Sequence, residues 1–146
     1  MYKHVLLPVD GSGFGAGAIP YAMQFAKATG ARVTAIHVTA PYALIALGAV
    51  GAFLAEDEYT KRAAENAATV LERVTRAASE AGVPIDAYQV DHAHPWEAIV
   101  ATARERGCDL VIMASHGRNG LAGLLLGSET KKVLTHSTIP VLVWRG

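Results

Sequence analysis

Five short apolar runs, each separated from the next by enough chain for a helix, set the tightest limit on how this chain can fold. They are Lys3 to Val9 (KHVLLPV), Arg32 to Val38 (RVTAIHV), Pro84 to Val90, Asp109 to Ala114 and Ile139 to Trp144 (IPVLVW). Their length and β-branched content suit buried strands. Pro8 has no N–H for a sheet ladder, so the first strand is expected to end about there. Between the runs, apolar residues recur at helical spacing. Ile19, Ala22, Met23 and Ala26 follow the glycine-rich stretch from Asp10 to Gly17. Pro20 belongs in a first turn, which sets the expected start of that helix near Gly17, with Thr29-Gly30 as its stop.

The longest helix is expected over about Glu56 to Ala81. Tyr59, Ala63, Ala67, Val70, Val74, Ala78 and Ala81 form its buried stripe, and Glu72–Arg76 and Arg76–Glu80 have ion-pair spacing on its wet face. Shorter helices are expected over Trp96 to Arg106, behind Pro95, and over Ser128 to His136. This alternation predicts βαβ units and one α/β domain over residues 1–146, an open, doubly wound, five-stranded parallel sheet. Ligands of such sheets bind beyond the carboxyl ends of the strands, where the strand order reverses. Asp10, Val38 and the segment after Met113 all fall at that end.

Composition removes several functions. Thirteen basic residues balance thirteen acidic ones, so no broad basic field favours nucleic acid. The lone Cys108 cannot form an intramolecular disulfide and sits beside an expected buried strand, which points to packing and to a reducing cytoplasm. The stretch Pro41 to Ala55 carries no charge until Glu56, but fifteen residues is short of the roughly 20 that span a bilayer. It reads as an apolar loop or short helix over a neighbour, with no membrane role.

The stretch from Met113 to Ser128 (MASHGRNGLAGLLLGS) concentrates the chemistry. A strand running into a glycine-rich loop and then a helix N-terminus offers close backbone approach and unpaired N–H groups to an anion. Competing motifs are weaker. Gly11-Ser-Gly13-Phe-Gly15-Ala16 has dinucleotide-fingerprint spacing, but no acid follows the second strand and Asp10 would repel a pyrophosphate. No P-loop motif occurs, since Gly127 is followed by Ser128 and Glu129. Asp91, His92 and His94 lack further ligands and read as a solvated loop; no G-x-S-x-G elbow supports a hydrolase triad. His4 and His136 read as surface or capping residues, whereas His37 and His116 fall near the ligand end.

The sequence resembles the universal stress protein family along essentially its whole length. The resemblance is carried by Val5-Leu-Leu-Pro-Val-Asp-Gly-Ser12, the His37-Val38 strand end, Cys108-Asp-Leu-Val-Ile-Met-Ala-Ser-His-Gly117, Leu125-Leu-Gly-Ser128 and Pro140-Val-Leu-Val143. It implies strand order 3-2-1-4-5. The nucleotide-binding members follow G-x-x-G-(nine residues)-G-[ST]; here the second glycine is Gly117, the third Gly127 and the hydroxyl Ser128, while the first position holds Ala114. The resemblance implies an adenine nucleotide (ATP, ADP, AMP or cyclic AMP, with Mg2+ accompanying ATP). Pro8, Val9 and Asp10 would lie near the adenosine, with Val38 and Met113 flanking the base.

Ala114, His116, Gly117, Arg118, Asn119, Gly127 and Ser128 would form the phosphate loop, Ser128 also capping the last helix, and Glu129 and Thr130 would follow it. Glu129 is a second departure, because small or apolar residues are usual there and a carboxylate beside phosphates must point away or share a cation. Phosphoryl transfer needs cationic clamps and a base. With Asp10 as the one acid and no cradle lysine, the expectation is a stress-response regulatory or sensing module that acts through a protein partner. The alternatives are a slow ATPase or autophosphorylating enzyme, and a dimeric module that binds no nucleotide. The resemblance also implies a homodimer through the strand Val141 to Trp144, an apolar sheet edge.

Overall fold

Runs that are apolar throughout, without alternation, belong to strands covered on both faces, and that is where they lie. The computed structural model describes residues 1–48, 55–116 and 126–146. Strands β1 (His4–Pro8), β2 (Arg32–Thr39), β3 (Ile85–Asp91), β4 (Leu110–Ala114) and β5 (Val141–Trp144) form one parallel sheet in the order β3-β2-β1-β4-β5. The chain steps outward from β1 to β3 and then returns to the other side of β1. A crevice therefore opens above the carboxyl ends of β1 and β4.

Side chains alternate from the sheet into two cores. Val5, Leu7, Val33 and Ile112 pack with α1 (Gly13–Thr29) and α3 (Glu56–Ala81). Leu6, Ile36, Val111 and Met113 pack with α4 (Pro95–Glu105) and α5 (Ser128–His136). Cys108 is buried in the second core, and burial pushes its thiol up to about 11, consistent with a packing residue. The expected stripe of α3 holds, with Ala67, Val70, Val74 and Ala78 buried and Gly82 closing the helix at φ 71°. Arg76 pairs with Glu72 at 3.0 Å rather than with Glu80. Of the uncharged stretch over 41–55, Tyr42–Ala46 forms the short helix α2 with no buried residue, and 49–54 lie outside the described residues. Among the described residues no helix is long and apolar enough to cross a membrane.

Two expectations fail. The first helix starts at Gly13, not near Gly17, and Pro20 lies well inside it. The cap decides the start: Ser12 Oγ accepts the Gly15 N–H at 2.9 Å, and the Asp10 carboxylate accepts the Ser12 N–H at 2.9 Å. Pro20 is exposed, so the backbone bond that it cannot donate is missing on the water side of the helix. His4 is not a surface residue. It is 4% exposed, and its Nε2 lies 2.7 Å from Thr34 Oγ1. Beside it the Asp109 carboxylate accepts the N–H groups of Lys3 and His4 at 2.8 and 3.0 Å, tying β1 to the start of β4.

This corner makes stability fall with acid in two stages. Burial, helped by the Arg32 charge, lowers the His4 pKa below the usual 6.5. Its contribution is complete above about pH 6.5 and drains as pH falls, because the unfolded chain then takes a proton that the folded chain refuses. Burial alone would raise Asp109, but the two N–H bonds outweigh it and hold the carboxyl below its usual 3.8, so that contribution fades only below about pH 4. The urea midpoint is expected to drop between pH 7 and 5, and His4→Gln is expected to flatten that drop. An unchanged slope in the variant would show that another group carries it.

Candidate functional site

The exits of β1, β2 and β4 meet the first turn of α5 around one cleft of about 800 Å3, within the range of small-molecule sites. Pro8, Val9 and Asp10 form one side. Val9 is fixed from both ends: its N–H donates to the Ile36 carbonyl at 2.9 Å, and its carbonyl accepts from His37 Nδ1 at 2.8 Å. Val38 and Met113 border the cleft and pack into the same core, so an apolar slot lies between β2 and β4.

Beyond β4 the backbone is held by a chain of bonds. The Ser115 N–H donates to the Trp144 carbonyl and the Gly127 N–H donates to the Ser115 carbonyl, both at 2.8 Å. The two ends of the glycine-rich segment thus meet at Ser115. Ala114 closes β4 with ordinary strand geometry, and no non-glycine residue among those described has positive φ. Glycine's freedom is not needed at position 114. His116 is 9% exposed, borders the cleft, and its Nδ1 lies 3.0 Å from Ser115 Oγ. Gly117, Arg118 and Asn119 lie outside the described residues.

Three helix N-termini point at this cleft, and they are not alike. That of α1 is capped by Ser12, whose oxygen takes the Gly15 N–H. In α4 Pro95 has no N–H, and the next one, from Trp96, donates to Glu129 Oε2 at 2.9 Å. That of α5 has no side-chain cap. Its N-cap is Gly127, which corrects the expectation that Ser128 caps the helix; Ser128 is the first helical residue and is exposed. Among the described residues no side chain takes the backbone N–H groups at 128–130, where the first turn of α5 borders the cleft.

The two residues after Ser128 are already occupied. Glu129 holds Trp96 N–H with one oxygen and Lys132 Nζ at 3.2 Å with the other. Thr130 is 2% exposed, and its hydroxyl lies 3.1 Å from the Ala114 carbonyl and 3.2 Å from that of Ser115. Its side chain secures the β4 exit, and the residue borders the cleft.

One wall escaped sequence reading. The first turns of α3 overhang the sheet, bringing Tyr59, Arg62, Ala63 and Asn66 to the cleft opposite α5. Tyr59 Oη donates to the Ala40 carbonyl at 2.5 Å and pins this overhang above the end of β2. Burial, then Asp91, raises its phenol pKa. Arg62 pairs with Glu58 and remains largely exposed. The signal was the upper end of the α3 stripe, where Tyr59 and Ala63 run past the core. His92 also borders the cleft, with Nδ1 accepting the His94 N–H at 2.9 Å. Among the described residues no group of three potential ligands could hold a metal ion.

Residues 1–145 match the model of the universal stress protein family. The chain belongs to that family. Universal stress protein MJ0531 of Methanocaldococcus jannaschii is 33% identical over 143 residues, which cover 98% of this chain and 82% of that protein. The solved structure of universal stress protein MJ0577 from the same organism superposes with a TM-score of 0.84 at 32% identity, covering 100% of this chain and 97% of the other. A universal stress protein crystallised with cAMP superposes at 0.71 with 27% identity, covering 99% of this chain and 97% of its own. The five-stranded order expected for a universal stress protein is the order found.

Proposed function

We propose that this universal stress protein binds an adenine nucleotide in the cleft and acts as a cytoplasmic stress-response sensor whose occupancy is read by a protein partner. The observation that carries the reading is the N-terminus of α5 at Gly127 and Ser128, the one of three converging helix ends where, among the described residues, no side chain takes a first-turn N–H. Phosphates suit those N–H groups. Asp10, at the β1 exit, is placed for ribose hydroxyls, and the slot between Val38 and Met113 suits a base. The relative in complex with cAMP supports the adenine class. Gly117, Arg118 and Asn119 complete the phosphate loop in this reading.

The cleft is built to hold a nucleotide. Its described lining includes Arg62 but no lysine, and both Asp10 and Glu129 already accept backbone N–H groups. Mg2+ would therefore arrive on ATP, held by the phosphates. Occupancy biases whichever arrangement of the surrounding loops binds nucleotide better. The half-buried β5 edge, Val141–Trp144, is the surface through which two copies would pair.

Mass spectrometry of small molecules released from denatured, filtered protein is expected to find an adenine nucleotide, and light scattering a dimer. No released nucleotide, together with no heat on titrating ATP, AMP or cyclic AMP, would remove the binding reading; a monomer at micromolar concentration would remove the interface.

A further inference from the structure

We propose that Glu129 is a positioning residue, a brace that locks the first turn of α4 to the first turn of α5 and so holds the open N-terminus of α5 in place. The proposal rests on the nucleotide reading above and adds a residue to it. A carboxylate one residue beyond the Gly127-Ser128 pair is the chain's least expected feature there, since a free charge at that point would repel phosphate. Its geometry gives it another task.

The first turn of α4 lacks a cap of its own. Its N-cap, His94, contributes no side-chain bond, and Pro95 fills the next position without an N–H. The Trp96 N–H is the first donor, and Glu129 Oε2 meets it at 2.9 Å from another helix, 33 residues away in the chain. Oε1 stays with Lys132 at 3.2 Å. A carboxylate so placed is favoured twice, by the N-terminal ends of both helices. The ring of Trp96 then stacks on His136, with centroids 4.4 Å apart and planes at 27°. One residue of α4 therefore meets α5 at both its first and last turns. The first turn of α4 is thus fastened to both ends of α5, and Pro95 and Ser128, which border the cleft from either helix, keep their spacing.

The brace and the repulsive charge predict opposite results. Glu129→Gln keeps an oxygen for the Trp96 N–H and removes the charge; Glu129→Ala removes both. If Glu129 braces the site, the Gln variant should bind ATP as well as the parent or a few-fold better, while the Ala variant binds about tenfold more weakly. The Trp96 backbone amide, followed by hydrogen exchange without nucleotide, should lose protection in the Ala variant and keep it in the Gln variant. Tighter ATP binding in both variants, or unchanged Trp96 protection in Glu129→Ala, would overturn the brace. A parent protein that binds no ATP would remove the nucleotide reading and the positioning role with it, while the exchange pattern would still decide whether the two helices are braced.

Discussion

Gly127→Asp is expected to abolish nucleotide binding and leave the fold as stable as before. The two halves of that result have one cause. Gly127 is the N-cap of α5 with φ −58° and ψ 155°, backbone that any residue adopts. Aspartate is a favoured N-cap, and exchanging it for glycine there changes helix stability by only a few tenths of a kcal/mol. Its carboxylate would accept the N–H groups of the first turn, the donors that the nucleotide reading assigns to phosphate. A ligand phosphate would then lose those donors and meet a like charge. At about 4 Å and an effective dielectric near 20 that repulsion is about 4 kcal/mol, a loss of well over a hundredfold. Gly127→Asn occupies the same donors without the charge and should lose about tenfold. Calorimetric titration with ATP beside urea denaturation of the same samples separates the terms. Normal ATP binding by the Asp variant would show that the phosphate site lies elsewhere.

The strands were legible because covering a parallel sheet on both faces leaves one composition that works, and Val5, Leu6 and Leu7 at the centre are each fully buried. The stop of α3 was legible for a local reason, since Gly82 takes a positive φ that closes the helix. The misses lie where two local rules compete or where the decisive partner is remote. Pro20 and Ser12 each set a start for α1, and the hydroxyl cap with its Asp10 support won. His4 looked like a surface group because nothing near it in the chain announces Thr34 across the sheet.

The cleft divides along the same line. Asp10, Val38, Met113 and Gly127 could be placed because each lies within two residues of the limit of an element that the sequence marks. Arg62 and Asn66 could not, because their role depends on how far α3 overshoots the sheet. Glu129 is the clearest case. Read along the chain it is a charge beside a phosphate site; in three dimensions it is the missing cap of a different helix. Ala114 is the converse, a departure from the motif glycine that sits in plain strand geometry.

The second large effect is expected at Gly17, far from any motif. A Cβ built there would lie 2.1 Å from Trp144 Cη2 and under 3 Å from two more ring carbons, so the indole rests directly on the backbone of α1. The Trp144 main chain is held, since its carbonyl accepts the Ser115 N–H and its backbone pairs with β4 opposite Ala114, so relief must come from the torsions of the ring itself. Gly17→Ala should therefore displace the ring by more than about 1 Å, at a cost of about 1–3 kcal/mol for forced repacking. The same substitution gains about 1 kcal/mol of helix propensity. In a Trp144→Ala background only the gain remains, and Gly17→Ala should stabilise. The double-mutant cycle should thus return a coupling of about 1–3 kcal/mol with a reversal of sign between backgrounds. Urea denaturation of the four proteins at one concentration measures it, a fixed concentration being needed if copies pair through β5. Additive effects would mean that the indole leaves Gly17 without cost. A coupling of the expected size would place Trp144 as the hinge between α1, the Ser115 peptide that holds Gly127, and the sheet edge proposed to meet a second copy.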